Sequence, residues 1–126
     1  KMSKFHIGSG NRTPKIDFDS DLNYFLIEGR SLPENTQQFY ESAISWIKNY
    51  KPKAGTTILL EMKFTYINSS SLIALLSIVL NLKKHTNRNC ALNIKWFYEE
   101  DDEDLLLAGE DISNVAEVEF EYLEIL

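Results

Sequence analysis

The hydrophobic and polar positions of this chain follow two periods, one typical of strands and one typical of helices. Apolar and polar side chains alternate over three segments, which is the period-two pattern of half-buried strands. Two shorter apolar segments flank a polar turn at residues 19–21 and predict a further pair of strands. The five predicted strands cover residues 16–18, 24–27, 57–66, 92–98 and 116–122.

Helical spacing is found between these strands. Ser31 and Glu34 have the spacing of a capping box, and the apolar residues that follow predict a first helix ending near Tyr50. Apolar residues at helical spacing predict a second helix over about residues 70–85. The acidic run 99–104 fits the first turn of a short third helix, where acids complement the helix dipole, and Gly109 is expected to end that helix.

The strand pattern also predicts the arrangement of layers. Three strands have one mainly apolar and one largely polar face, whereas a sheet covered on both sides would have continuously apolar strands. We therefore expect a single-domain α/β protein, residues 1–126, with a mixed β-sheet and its main helices on one face. In the last strand, Glu117, Glu119 and Glu121 should face water, while Val118, Phe120 and Tyr122 pack under the helices. Residues 1–14 are rich in Gly, Ser and Lys and are expected to be partly flexible.

Charge is divided unevenly along the chain, whose formal net charge is −6. All 13 Lys and Arg lie in residues 1–98 together with seven Asp and Glu, a balance of +6, while residues 99–126 contain twelve acids and no base. General nucleic-acid binding needs a basic face that displaces phosphate counterions. The charge distribution therefore argues against a nucleic-acid partner and favours protein partners.

The sequence also bears on location. Cys90 is the only cysteine, so no internal disulfide can form and a reducing compartment is favoured. The longest apolar run, residues 72–80, is far too short to span a bilayer, and the N-terminus has no apolar signal region. We expect a cytoplasmic protein with no membrane partner.

No catalytic residue, cofactor site or metal site is predicted. His6 and His85 are too few and too far apart for a triad or a metal site. The acidic run 99–104 lacks the glycine and the distal glutamate of an EF-hand loop. A small enzyme or ligand-binding domain that uses this run is the less favoured alternative.

Candidate chemistry lies in the stretch from Tyr66 to Leu72, which joins a predicted strand to the apolar helix through three serines. Asn and Ser cap helix N-termini because their side-chain oxygens accept hydrogen bonds from first-turn N–H groups. A hydroxyl there also lies at the positive end of the helix dipole, where an added phosphate is well tolerated. On spacing alone, a plain N-cap with spare serines remains the simpler interpretation.

The order of predicted elements resembles the STAS fold of anti-sigma-factor antagonists. In that fold a phosphorylatable serine lies at the start of the helix that follows a central strand. The position matches, but Asn68-Ser69-Ser70-Ser71 stands where the usual pattern is Asp-Ser-Ser-Gly. Alignment to these antagonists favours Ser70 as the modified residue.

Four ordered blocks more closely resemble the SiaC family of bacterial regulatory phosphoproteins, over nearly the whole chain. Their order and spacing make this resemblance much more specific than any one block. The blocks are Thr13-Pro14-Lys15-Ile16-Asp17-Phe18; Gly29-Arg30-Ser31-Leu32-Pro33-Glu34-Asn35, followed by Phe39-Tyr40 and Trp46; Tyr66-Ile67-Asn68-Ser69-Ser70-Ser71; and Trp96-Phe97-Tyr98 with the acidic run 99–104.

The resemblance implies a switch protein. A SiaB-type kinase phosphorylates the residue after the Asn, which is Ser69 here, with Ser70 as the fallback, and a SiaA-type PP2C-like phosphatase removes the phosphate. The unphosphorylated form binds and activates a SiaD-type diguanylate cyclase or another effector, which links the switch to cyclic-di-GMP and biofilm formation. Ser69 replaces a Thr of the family pattern and retains the hydroxyl. Ile73 replaces a common Lys, which removes a charge beside the site and indicates different partners.

The second helix is apolar over more than one stripe, which predicts a docking face. Ile73 and Leu80 flank a polar line formed by Ser70, Ser77, Asn81 and Lys84. An apolar margin on a polar surface is typical of a protein-binding site, although an unusually buried helix would have the same pattern. The predicted partner-binding residues are Tyr66, Asn68, Ser70, Ser71, Ile73 and Leu80.

Overall fold

The computed structural model describes residues 3–125. Within this range the chain forms six strands and three helices, with every strand in one sheet. In chain order the elements are β1 (Lys4–Ile7), β2 (Lys15–Asp19), β3 (Tyr24–Ser31), α1 (Thr36–Asn49), β4 (Thr56–Ile67), α2 (Ser69–Lys83), β5 (Cys90–Glu99), α3 (Glu103–Ala116) and β6 (Phe120–Ile125).

The sheet is mixed, as predicted. Its spatial order is β1-β2-β3-β4-β5-β6, with antiparallel pairing from β1 to β3 and parallel pairing from β3 to β6. The three helical connections all step to the next strand in the same direction. Because such crossovers are right-handed, all three helices lie on one face, where α1 packs against α2 and α2 against α3. The predicted single-domain α/β architecture is confirmed.

Parallel pairing gives the sheet two distinct edges. The carboxyl edge is where β3, β4, β5 and β6 end and where α1, α2 and α3 begin; the amino edge is where these strands begin. Side chains on the helix-facing side of the strands form the core, including the fully buried Trp96, Phe64 and Met62. The alternation predicted for β4 holds through Phe64 and ends at Tyr66, which is 49% exposed.

The structure differs from the sequence-based expectation near the N-terminus. Residues 4–7 form β1, whereas a partly flexible segment is predicted for residues 1–14, of which 1 and 2 lie outside the described range. The ring of Phe5 lies 5.7 Å from that of Phe18 and 6.3 Å from that of Trp46. Antiparallel pairing with β2 and these aromatic contacts hold the segment in the sheet.

The first helix begins later than the capping box predicts. Asn35, not Ser31, is the N-cap, and its side chain accepts a hydrogen bond from the backbone N of Gln38 at 3.0 Å. Ser31 is instead the last residue of β3 and is fully buried. The Ser-x-x-Glu spacing therefore does not mark a helix start here, because Ser31 is held in the sheet beside Ile67.

The third helix does not end at Gly109 but continues to Ala116. Gly109 is buried against Trp96, and a Cβ at this position would lie 2.7 Å from three atoms of the indole ring. The helix ends at Glu117, whose φ of 56° is left-handed. The last strand therefore begins at Phe120 and not at residue 116.

The predicted orientation of the last segment is confirmed. Glu117, Glu119 and Glu121 are exposed, while Phe120 is buried. The two neighbouring residues of the apolar set, Val118 and Tyr122, are half-buried against the core.

Candidate phosphorylation site and docking groove

The second helix begins at the carboxyl edge directly after β4. Asn68 is its N-cap, and the Asn68 Oδ1 accepts a hydrogen bond from the backbone N of Ser71 at 2.9 Å. The backbone N of Asn68 donates to the carbonyl oxygen of Ser31 at 3.0 Å, which fixes the start of the helix to the end of β3. Ser69 is therefore the first residue of α2.

The three serines at this helix start have different environments. Ser69 is exposed, and its hydroxyl has no hydrogen-bond partner in the part of the chain that the structure describes. Ser70 is also exposed, but its Oγ lies 2.6 Å from Thr36 Oγ1 and donates to Asn68 Oδ1 at 3.2 Å. Ser71 is fully buried. Of these three serines, only Ser69 has a hydroxyl that is both exposed and without a hydrogen-bond partner among the described residues.

Ser71 belongs to a buried network of hydroxyl groups and not to the surface. Its Oγ donates to the carbonyl oxygen of Ser31 at 3.0 Å and lies 2.7 Å from Ser31 Oγ. The Ser31 Oγ lies 2.6 Å from the hydroxyl of Tyr40 on α1. Burial raises the pKa of Tyr40 to about 12, so this hydroxyl stays protonated at neutral pH and can donate. The prediction that Ser71 contacts a partner is wrong, because Ser71 lies on the core side of α2.

The electrostatic setting of Ser69 suits an anion. The first turn of α2 contains no acidic residue, and unpaired backbone N–H groups give the helix start a partial positive charge. The acidic run lies at the start of α3 on the same carboxyl edge. There Asp102 is the N-cap and accepts a hydrogen bond from Leu105 N at 3.0 Å, and Glu103 and Asp104 occupy the first turn, as the sequence predicts.

A groove of about 580 Å³ runs between α1 and α2, and Ser70 lies in its wall. A second hollow of about 860 Å³ continues along α2 and shares Lys48, Ile73 and Ser77 with the groove. Together they form one surface, which we call the docking groove. Its lining residues are Thr36, Gln37, Tyr40, Glu41, Ile44, Ser45, Lys48, Ser70, Ile73, Ala74, Leu76, Ser77, Leu80, Asn81, Lys83, Lys84 and Thr86.

Apolar side chains are exposed in this groove. Ile73 is 72% exposed and Leu80 is 37% exposed, so α2 is not buried on all sides. Asn68 is half-buried and Tyr66 is exposed on β4 close to the helix start. Asn81, predicted on the polar line, is instead buried, and its amide donates to the backbone oxygen of Ser77 at 2.8 Å.

Features outside this helix start bear on metal binding, membrane insertion and thiol chemistry. No group of three or more His, Cys, Asp and Glu residues within 3–125 is arranged to hold a metal ion. In the same range, no helix has the length and apolar character needed to cross a membrane. Cys90 is buried, and desolvation raises the pKa of its thiol, which disfavours the reactive thiolate.

Comparison with known proteins identifies the family. The sequence model of the SiaC family regulatory phosphoproteins matches residues 7–125. The chain belongs to the SiaC family. An uncharacterized protein from Pseudomonas aeruginosa strain UCBPP-PA14 is 26% identical over 98 residues, which are 78% of each chain.

Solved structures of SiaC proteins have the same fold. Apo-SiaC from Pseudomonas aeruginosa superposes with a TM-score of 0.81 at 22% identity, over 99% of this chain and 100% of that one. A crystal structure from Pseudomonas aeruginosa contains diguanylate cyclase SiaD in complex with its activator SiaC. The SiaC chain of that complex superposes with a TM-score of 0.84 at 21% identity, over 96% of this chain and 99% of that one. The six-stranded sheet and the three helices are therefore the architecture of a SiaC family member.

Proposed function

We propose that this chain is a non-enzymatic switch protein that is reversibly phosphorylated on Ser69. Of the three serines at the start of α2, only Ser69 has an exposed hydroxyl without a hydrogen-bond partner among the described residues, and this observation carries the proposal. In the proposed cycle a SiaB-type kinase adds the phosphate and a SiaA-type PP2C-like phosphatase removes it. The protein acts in the cytoplasm and binds neither nucleic acid nor membrane.

The helix start can accept this modification without loss of the fold. A phosphate adds a charge of about −1.5 to −2 near neutral pH. On Ser69 it would lie beside the unpaired N–H groups of α2, whose partial positive charge offsets part of the electrostatic cost. Ser70 is a poorer acceptor because its hydroxyl is hydrogen-bonded to Thr36 and Asn68.

The unphosphorylated form is proposed to bind its effector through the docking groove and the residues beside it. Exposed Ile73 and Leu80 offer apolar area to a complementary partner surface, and Ser70 lies in the groove wall next to Ser69. Tyr66 and Asn68 directly precede Ser69 at the end of β4 and complete the proposed contact surface. A phosphate on Ser69 would place a hydrated dianion next to this apolar surface. A partner would then have to desolvate the charge, so its affinity should fall.

The proposed effector is a diguanylate cyclase, which would link the switch to cyclic-di-GMP signalling and biofilm formation. The Pseudomonas aeruginosa complex supports this class of partner, because its SiaC chain has the same fold and is the activator of SiaD. Position 73 carries an isoleucine where the family commonly has a lysine. This difference favours an effector, a cyclase or another protein, whose own surface is apolar where it meets Ile73.

Two alternatives are less well supported. An anti-sigma-factor antagonist of STAS type would use Ser70, whose hydroxyl is engaged by Thr36. A small enzyme or ligand-binding domain would use the acidic run, but Asp102 caps α3 and its neighbours lie in the first turn of that helix. Ser70 thus has a structural role in joining α2 to Thr36, and the acidic run has one in capping α3.

The decisive experiment is phosphorylation of the purified chain by a SiaB-type kinase with ATP, followed by intact mass measurement and peptide mapping. We expect one added phosphate, located on Ser69. Ser69→Ala should abolish uptake, while the matched Ser70→Ala should retain it, because Ser70 only borders the acceptor. Full phosphorylation of the Ser69→Ala variant would rule out the assignment, and modification lost only in Ser70→Ala would favour the antagonist alternative.

A further inference from the structure

The amino edge of the sheet holds cations that the proposed switch does not use. Lys51 and Lys53 lie in loop 50–55 between α1 and β4, and Arg88 lies in loop 84–89 between α2 and β5. Residues 42–60 and 62–98 contain no Asp or Glu. Neither loop therefore supplies a counter-charge, while Asp21 lines a neighbouring pocket together with Lys51 and Lys53.

One backbone hydrogen bond joins the two loops, and three further hydrogen bonds order the second loop. Gly55 N donates to the carbonyl oxygen of Asn89 at 2.7 Å, and Asn89 N donates to Asn87 Oδ1 at 2.7 Å. Asn87 and Cys90 exchange two backbone hydrogen bonds at 3.0 and 3.2 Å. Side chains on both loops are thus held on a preformed backbone.

A pocket of about 300 Å³ lies where these loops meet. Lys53 and Arg88 both line it, and within residues 3–125 neither side chain forms an ion pair or a hydrogen bond. The ring of His85 is anchored, because its Nε2 lies 2.7 Å from the carbonyl oxygen of Ile47 and must donate to it. The lining residues are Pro52, Lys53, Ala54, His85, Asn87, Arg88, Asn89 and Cys90.

The chemistry of this pocket favours a small dianion. Two cations held near one pocket repel each other, and an anion between them removes that repulsion and gains attraction from both. The guanidinium of Arg88 offers a planar fork of donors, and the ammonium of Lys53 and the amides of Asn87 and Asn89 add further N–H groups. Phosphate has several acceptor oxygens and close to two negative charges at neutral pH.

We propose that this amino-edge pocket binds a small phosphate-bearing anion. The pocket lies far from Ser69, because α2 has 15 residues and its two ends are therefore about 22 Å apart at about 1.5 Å per residue. Binding should not depend on the state of Ser69. The proposal consequently stands or fails independently of the proposed phosphorylation.

The test is a titration of the ¹⁵N-labelled protein followed by backbone amide chemical shifts, at constant ionic strength maintained with chloride. The probes are inorganic phosphate and glycerol 3-phosphate. We expect saturable shifts confined to residues 52–55 and 85–90 with either probe. Tighter binding of glycerol 3-phosphate would identify a phosphate monoester as the natural ligand, and equal or tighter binding of inorganic phosphate would identify the free ion.

Charge-matched variants separate a specific site from general attraction. Lys53→Gln and Arg88→Gln each remove one exposed cation of the pocket and should raise the apparent Kd about five- to tenfold. Lys95→Gln makes the same charge change on β5, away from the pocket, and should leave the Kd within about twofold.

Two outcomes would overturn the proposal. One is chemical shift changes that stay linear in phosphate concentration, and the other is an equal loss of affinity in Arg88→Gln and Lys95→Gln. Unchanged binding by Ser69→Ala would confirm independence from the switch, and loss of binding in that variant would refute it.

Discussion

At the scale of single residues, the contact between Ser31 and Ser71 determines which serine at the helix start is accessible. The carbonyl oxygen of Ser31 accepts hydrogen bonds from both the backbone N of Asn68 and the hydroxyl of Ser71. These bonds orient the first turn of α2 so that Ser71 points into the core and Ser69 points to solvent. The accessibility of the candidate phosphoacceptor thus depends on a buried residue 38 positions earlier.

We predict that Ser31→Ala destabilises the fold. The substitution removes a hydroxyl that lies within hydrogen-bond distance of both Tyr40 and Ser71, and no water can replace it easily in a fully buried position. Ser71 keeps its hydrogen bond to the backbone carbonyl of residue 31, but the buried Tyr40 hydroxyl loses its partner, which costs about 1–3 kcal/mol in the free energy of unfolding. Urea denaturation would measure this loss, with exposed Ser70→Ala as the control, expected within about 0.5 kcal/mol of the parent. An unchanged midpoint for Ser31→Ala would contradict the prediction.

The sequence predicts the place of the helix start but not this contact. The spacing of Asn68 and the serines is local, so it identifies the cap and the candidate acceptor within one residue. Ser31 and Ser71 are 40 residues apart, and their hydrogen bond depends on the pairing of β3 with β4. Helical spacing places Ser71 on the same face as the buried Leu75, Ile78 and Leu82, which is a local signal for its burial. No local pattern could show its hydrogen bond to Ser31 or that Ser31 ends a strand.

At the scale of elements, Gly109 allows α3 to pack closely on the sheet. It lies in the interior of a helix, where glycine is unfavourable relative to alanine by about 1 kcal/mol. Its function in the fold is to make room for Trp96, which is fully buried and whose Nε1 donates to the carbonyl oxygen of Leu105 at 3.0 Å. The sequence rule that glycine ends a helix fails here because close packing explains the residue better.

We predict that Gly109→Ala lowers stability in spite of the better helix propensity of alanine. The new Cβ would lie 2.7 Å from three atoms of the Trp96 ring, which is held by its hydrogen bond and cannot move away. Overpacking of a core costs about 1–3 kcal/mol, which exceeds the gain in propensity. Thermal unfolding would show a lower midpoint. Asn114→Ala, at an exposed position of the same helix, should raise it slightly, and a similar rise for Gly109→Ala would contradict the argument.

Elements with a long periodic pattern were predictable, and so was the short β2, which a turn signal marks, whereas β1 was not. The alternation in β4 and β5 and the helical spacing in α1 and α2 are determined by burial on one face, which the sequence shows directly. The four residues of β1 show too short a pattern, and they are held by pairing with β2 and by the contacts of Phe5. Non-local pairing of this kind leaves no clear local signal.

At the scale of the whole molecule, the sheet separates the proposed functions between its two edges. The carboxyl edge holds Ser69 and the acidic start of α3, and the amino edge holds the basic loops around Lys53 and Arg88. The acidic run 99–104 and the two basic loops lie at opposite edges, because parallel strands place all helix starts at one edge. A modification at one edge can therefore alter a surface there without disturbing the core or the opposite edge.

We predict that phosphorylation of Ser69 weakens effector binding by its charge alone and does not refold the protein. The exposed hydroxyl has no hydrogen bond to lose within the described residues, so the circular dichroism spectrum and the unfolding midpoint should remain near those of the parent. Ser69→Asp has about half the charge of a phosphate and lacks its three oxygens, and should weaken binding only in part. Ser69→Ala should bind whether or not the kinase is present.

Binding of a SiaD-type cyclase, measured by titration calorimetry against the stoichiometrically phosphorylated protein, provides the test. The docking groove lies beside Ser69, and Ile73→Ala should weaken binding of the unphosphorylated form by at least about tenfold, since Ile73 offers most of its side chain to a partner. Leu107→Ala, which removes an exposed apolar side chain from α3, is the matched control and should bind as the parent does. Undiminished affinity of the phosphorylated protein would rule out the charge mechanism. A large change in its unfolding midpoint would show instead that the phosphate acts through the fold.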